Sequence, residues 1–233
     1  AVTSLELTAK SVILIGERAS ETSGLLSTVA AVADKSGAKI AWIPRRAGER
    51  GALEAGAIGS LLPGARPVAD AAARVDIAAV WGVPTLPANA GRTTTEIISA
   101  LNSGDLDAVV VGGVDPLDMP NGASAISALK KSFVVSLEIA SSSVTDVADV
   151  VLPVAAVTEK SGSFLNWEGR PRAFDAAVSD SLNRSDVRIL SALADAMGES
   201  IMLGTVTQAA REIASLGKWD GARVQLSNVA ATG

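Results

Sequence analysis

Six short apolar runs punctuate the first two-thirds of the chain: Ser11–Ile15, Lys39–Ile43, Ile77–Val80, Ala108–Val111, Phe133–Leu137 and Val150–Leu152. They are rich in Val and Ile, and their apolar residues follow one another instead of alternating with polar ones. A strand solvated on one face alternates, whereas a strand covered on both faces has no polar side. The runs therefore predict a mostly parallel sheet with helices on both faces.

The stretches between the runs carry helical spacing. Leu25, Leu26, Val29, Val32 and Ala33 share one face, and Gly37 stands where a helix stop belongs. Thr93 and Glu96 form a capping box ahead of Ile97, Ile98 and Leu101, with Gly104 as the stop. Asn121 caps a helix carrying Ile126 and Leu129, with Lys130 and Lys131 near its negative end. Asp186 to Met197 and Thr205 to Leu216 supply two more, closed by Gly198 and Gly217. The alternation predicts a doubly wound α/β domain with right-handed crossovers. We divide the chain into that domain at 1–155, a long ordered loop plus C-terminal helices packing on the same core at 156–217, and a frayed tail at 218–233. Two segments break the rhythm. One is Pro44–Pro67, with a short helix around Gly51–Ile58. The other is Pro153–Asp180, read as an ordered loop of a length that commonly serves function or docks on a neighbour.

Composition narrows the chemistry. With 48% hydrophobic and 19% charged residues the chain can bury a sizeable core. A net charge of −5, 3% aromatics and no dense Lys/Arg run argue against nucleic acid as a partner. The longest uncharged stretch, Ile77–Gly91, is broken by Pro84 and Pro87, so no direct membrane insertion is expected. The chain opens on Ala1 without a signal-peptide layout, which reads as a piece of something longer. It has no Cys, no His and no Tyr. Cysteine-ligated clusters, thiolate nucleophiles, histidine metal sites and a Ser-His-Asp triad are thereby excluded within it. Chemistry borne by the protein falls to carboxylates, Lys, Arg, Ser and Thr.

Three groups of residues are candidates. Gly112 and Gly113 end the Ala108–Val111 run, where ligands of such sheets sit and where glycine lets a backbone approach a phosphate. Turn chemistry favours reading the pair as a turn, and neither dinucleotide nor P-loop spacing accompanies it. Glu138, Asp146, Asp149, Glu159 and Glu168 offer carboxylates for a hard cation or for acid–base work, but lie apart in sequence. Structural roles are their alternative, with Ser143 and Asp146 fitting a helix start. The densest stretch, Glu159–Arg172, surrounds Phe164, Asn166 and Trp167 with Lys160, Glu168, Arg170 and Arg172. It either presents an Arg fork to an anion or a partner's carboxylate, or bonds to itself. A Ser–Lys nucleophile pair lacks its spacing.

The run Asp146–Arg170 resembles the signature of the molybdopterin oxidoreductase superfamily: a strand ending Ala148-Asp149-Val150-Val151-Leu152-Pro153, then Glu159, Lys160, Gly162, Phe164, Asn166, Glu168, Gly169 and Arg170 at fixed spacing. Arg45–Val68 and Gly91–Asp118 are similar to one branch, the large G subunits of bacterial NADH–quinone oxidoreductases (respiratory complex I). The resemblance implies an α/β domain of a large subunit whose iron–sulfur clusters sit in a separate N-terminal part. In that branch the fold is kept and the pterin cofactor is generally not. The domain then has a scaffold role, without catalytic residues, metal or cofactor of its own. Its partners are the cluster-bearing part of the same polypeptide and the other peripheral-arm subunits, on the cytoplasmic face of the inner membrane. In relatives such as formate dehydrogenase the domain binds a pterin–guanine dinucleotide carrying molybdenum or tungsten. On that alternative Gly112, Gly113, Glu138, Asn166 and Arg170 would line the dinucleotide. Cofactor-binding members often carry a Thr-Glu-Thr-like stretch where this chain reads Glu138-Ile139-Ala140-Ser141-Ser142-Ser143, which implies a relic site.

Overall fold

A computed structural model describes residues 6–178 and 180–222, and the final stretch of the expected tail, 223–233, lies outside the described residues. The described chain forms two compact units, one from residues 6–54, 164–172 and 220–222, the other from 55–163 and 173–219.

In the first unit, β1 (Val12–Gly16) and β2 (Lys39–Ile43) pair in parallel, with Ile15 opposite Trp42. The crossover is α1 (Leu25–Ser36), which Gly37 ends in the left-handed region at φ 73. A side chain there would also crowd Ala9, whose Cβ lies 3.3 Å from the Cβ position of Gly37. The short helix expected beyond β2 is α2 (Glu49–Glu54).

The second unit opens with a small antiparallel pair, β3 (Leu61–Leu62) and β4 (Arg66–Pro67). Then α3 (Ala71–Trp81) runs through the segment Ile77–Val80, which the sequence reading assigned to a strand. This is a correction with a local cause. Asp70 accepts the Ala73 N–H at 3.0 Å as N-cap, Gly82 closes the helix at φ 64, and Ala73 and Ile77, one helical turn apart, are its buried residues. An apolar run this short does not separate the two periods, and the caps decide. α4 (Thr94–Ser103) starts on the predicted capping box: Thr93 Oγ1 accepts from Glu96 N, and Glu96 accepts the Thr93 N–H at 2.7 Å.

The central sheet follows: β5 (Ala108–Gly112), α5 (Gly122–Leu129), β6 (Phe133–Glu138) and β7 (Val150–Pro153). All strands are parallel, in the order β5-β6-β7. β6 is central, so it is the strand with buried positions on both faces. Towards α5, Val134 packs with Leu129 and Val144. On the opposite face Leu137 packs with Val154 and with Ile189 of α6 (Asp186–Ala196). The α/β class with parallel strands therefore stands as read. Pro153–Asp180 is more regular than expected, since it contains a hairpin of β8 (Gly162–Leu165) and β9 (Pro171–Phe174). Its periodicity is invisible because each strand is only 4 residues long. The last helix, α7 (Val206–Leu216), packs against α3.

Candidate functional site

The carboxyl ends of β5 and β6 open into a cavity of about 840 Å³, lined among others by Gly112, Gly113, Asp115, Glu138, Lys160 and Asp186. Its floor is built by turns. Gly113 adopts φ 61, and its N–H donates to the Leu137 carbonyl at 3.2 Å. Asp115 accepts the Leu117 N–H at 3.0 Å and so caps the turn Pro116–Asp118. Gly122 begins α5 against that turn, and a Cβ on it would lie 2.5 Å from the Pro116 carbonyl oxygen, so only glycine fits. After β6, the Ser142 hydroxyl accepts from Val144 N and Thr145 N, both at 3.3 Å, while Thr145 Oγ1 accepts the Ser142 N–H at 2.7 Å. The start of that turn is thus Ser142, one residue before the predicted Ser143. Ser143 lines the cavity, and its buried hydroxyl oxygen has no hydrogen-bond partner.

Lys160 and Asp186 form an ion pair on the cavity wall. The adjacent Glu159 closes its own turn and ties it to the segment around residues 181–183. It accepts the Ala156 N–H at 2.7 Å, the Ser181 hydroxyl at 2.7 Å and the Asn183 amide at 3.1 Å. The Ala156 N–H first, then Ser181 and Asn183, hold its carboxyl below the ordinary value. Asp149 is also spent on structure, accepting the Val134 N–H at 2.8 Å. Two of the five candidate carboxylates are therefore fastenings of the fold.

The hairpin tip bonds to itself. Asn166 Oδ1 accepts from Glu168 N at 3.0 Å and Arg170 N at 2.9 Å, with Gly169 at φ 79. Arg170 Nε lies 3.2 Å from Glu168 Oε2. Trp167 is left half exposed at the tip. The structure thus brings Gly112, Gly113 and Glu138 together at one cavity. Asn166 and Arg170 fall in the other unit and do not line it. Sequence reasoning did not place Asp115, Lys160 and Asp186 in a common site. Lys160 and Asp186 are joined across 26 positions, for which a single sequence carries no signal.

In the first unit, Glu17 follows β1 and Glu49 starts α2. The Glu49 carboxyl is raised above its ordinary value, first by burial, then by its hydrogen bond to Glu17 and the Glu17 charge, against the backbone N–H of Arg45 and the charge of Arg46. A group raised this way contributes most below its ordinary value of 4.5, and its contribution is lost as pH climbs towards the raised value. Glu49→Gln is expected to melt a few degrees above the parent at neutral pH, with the gap closing below about pH 4. Thermal unfolding across pH measures this, and a constant gap would refute the carboxyl pairing.

The cavity can be tested against the family's pterin dinucleotide on its charges and donors. The side chains of Asp115, Glu138 and Asp186 bring three carboxylates to one ammonium, and Lys160 is already tied to Asp186. The N–H groups of Gly113 and Leu117 are committed to Leu137 and Asp115. A diphosphate needs cations or free N–H donors, so these residues do not fit it. Among the described residues, no group of three or more His, Cys, Asp or Glu is placed to hold a metal ion.

Comparison with known proteins places the sequence. It is 48% identical over its whole length to the G subunit of the NADH-quinone oxidoreductase of Mycobacterium bovis, of which it spans 29%. It is 50% identical over 91% of its length to the G subunit of the same enzyme from Streptomyces coelicolor, of which it spans 26%. Formate dehydrogenase H of Escherichia coli is 31% identical over 64% of the chain. The chain thus spans under a third of these two G subunits. A family model described as Molybdopterin oxidoreductase matches residues 7–196, and this chain belongs to the molybdopterin oxidoreductase family.

Proposed function

We propose that the chain is a structural domain of the G subunit of an NADH–quinone oxidoreductase, part of the arm that carries electrons and itself without a redox centre. The observation that carries this reading is the 48% identity to the M. bovis G subunit over the full chain. It is supported by a cavity whose charges repel the diphosphate of the family's cofactor. On this reading the iron–sulfur clusters belong to an N-terminal part of the same polypeptide. The neighbours are that part and the other subunits of the peripheral arm, and the assembly lies on the cytoplasmic face of the bacterial inner membrane. None of the described helices is long and apolar enough to cross a membrane, which suits a peripheral position.

The hairpin tip is the docking element on this reading. Trp167 and Arg170 are residue types that dominate interfaces when buried, and both are exposed here while the turn beneath them is fixed by Asn166. Arg170→Ala is expected to lower the yield of assembled peripheral arm without changing the stability of the isolated chain, since its ion pair is exposed. Native gel electrophoresis of membranes from a strain carrying the substitution measures it. Unchanged assembly and unchanged NADH–quinone turnover would exclude docking through this tip.

A second reading rests on the similarity to formate dehydrogenase H and on Gly112, Gly113 and Glu138 meeting at the strand ends. The chain is then the dinucleotide-binding part of a molybdenum or tungsten oxidoreductase. Metal analysis of the full-length purified protein separates the readings. Stoichiometric molybdenum or tungsten supports the second, and iron alone supports the first.

A further inference from the structure

The cavity at the carboxyl ends of β5 and β6 is built by the second unit alone: every residue that lines it, from Val110 to Leu190, belongs to that unit. Its charges do not suit a diphosphate, and they suit a ligand of the opposite sign. Lys160 and Asp186 cancel one another. Asp115 takes the Leu117 N–H on one oxygen, and among the described residues no cation pairs with it. Glu138 ends the central strand half-buried, and among the described residues its carboxylate has neither a hydrogen-bond nor an ion-pair partner. Two negative charges therefore line a space of about 840 Å³ without a countercharge.

The neutral polar groups beside Glu138 are also unsatisfied. Side chains alternate along a strand, so Val134, Ser136 and Glu138 share one face of β6. Ser136 is fully buried, and its hydroxyl has no hydrogen-bond partner. Val144 packs with Val134 on this same face. The residue before it, Ser143, lines the cavity, and its hydroxyl is buried and unpartnered. Buried polar groups of folded chains are paired in the great majority, so each orphan calls for a reason. Two orphan hydroxyls, one on either side of an unpaired carboxylate in the sequence, mark a place where a donor belongs.

An ammonium group supplies both missing elements, a positive charge and several N–H donors. The rest of the wall includes Leu117, Leu137, Val154 and Leu190, which suit an aliphatic stem. A hard divalent cation is served less well. It needs about six oxygen ligands, and the Lys160 ammonium stands in the same wall.

We infer that the cavity takes a small aliphatic amine, its ammonium held by Glu138 and Ser143 and its stem by Leu137 and Leu190. The inference stands apart from the scaffold reading, and its ligand is opposite in charge to the family's cofactor.

Ligand-observed saturation-transfer NMR on the full-length protein tests it, with n-butylammonium, butyrate and guanosine diphosphate as probes. Butylammonium should bind saturably, and butyrate, similar in length and opposite in charge, about tenfold more weakly or less. Glu138→Gln removes the charge and should weaken butylammonium by about tenfold. Ser143→Ala breaks no bond of the fold and should weaken it by about threefold. Should the Glu138 variant fail to fold, the Ser143 variant decides. Equal affinity for butylammonium and butyrate, or unchanged affinity for butylammonium in the variants, overturns the inference. So does displacement of butylammonium by magnesium at constant ionic strength, which would make this a metal site. Guanosine diphosphate binding more tightly than butylammonium would overturn it and favour the molybdenum or tungsten reading. Binding of no probe would overturn it and leave the scaffold reading standing.

Discussion

Arg66→Met is expected to cost about 3 kcal/mol or more of unfolding free energy, through lost charge-assisted hydrogen bonds. Arg66 is only 3% exposed, on the short strand β4. Its Nη2 donates to the Leu216 carbonyl at 2.8 Å, and its Nη1 to the carbonyls of Pro63 at 3.1 Å and Gly217 at 3.3 Å. Its Nε lies 3.3 Å from Asp76 of α3, and its guanidinium stands 5.7 Å from the Trp219 ring centroid. One planar cation thus satisfies the end of α7, where unpaired carbonyls and the negative pole of the helix coincide. Met fills similar space and satisfies none of these groups. Asp76 is 46% exposed and can be hydrated once unpaired, so the cost arises at the helix end rather than from a buried carboxylate. Lys at position 66 keeps the charge but cannot fork across separate carbonyls, and is expected to recover less than half of the loss. Urea unfolding measures the energies. Hydrogen exchange should show α7 opening ahead of α3 in the Met variant, and unchanged protection of α7 would refute the latch.

That latch also marks what the sequence could and could not disclose. Capping signals were legible because they act over three or four residues: Thr93 with Glu96, Thr205 with Gln208, and the stops at Gly37 and Gly104 all lie where local chemistry puts them. Asn121 stands at its cap position without a side-chain bond, so position alone did not guarantee the interaction. Five strand runs were legible from β-branched density, while Ile77–Val80 went to a helix because Asp70 and Gly82 frame it. Long-range pairing was not legible. Arg66 meets carbonyls some 150 positions away, and Lys160 meets Asp186, for neither of which a single sequence supplies a register. The candidate site shows the same division. Gly112 and Gly113 were placed by the rule that ligands meet strand ends, and Glu138 through the family resemblance. Asn166 and Arg170 were attached to them through the signature alone, and their contacts prove to be local bonds of a hairpin.

Asp149→Ala is expected to cost about 2–3 kcal/mol, as a buried backbone donor loses a charged acceptor. Asp149 belongs to the signature strand ending, and its environment says what it does there. Val134 is fully buried on the central strand, and its N–H donates to Asp149 Oδ2 at 2.8 Å. In return the Asp149 N–H donates to the Val134 carbonyl at 3.0 Å. The two bonds close a ring one residue before β7 begins and fix the register in which Val135 faces Val150. Without the carboxylate the N–H of the fully buried Val134 loses its charged acceptor. Asn at position 149 keeps an oxygen of the same reach and is expected to recover most of the loss, which a merely electrostatic role would not allow. The denaturant midpoint should fall with an unchanged slope if the sheet still unfolds as one body. An Ala variant as stable as the parent would show that the strand ending does not hold the sheet together. Because this ring lies inside the sheet and not on the cavity wall, the loss should be the same for the full-length protein with or without any ligand in that cavity. A signature residue whose removal costs stability independently of ligand is one that encodes a fold.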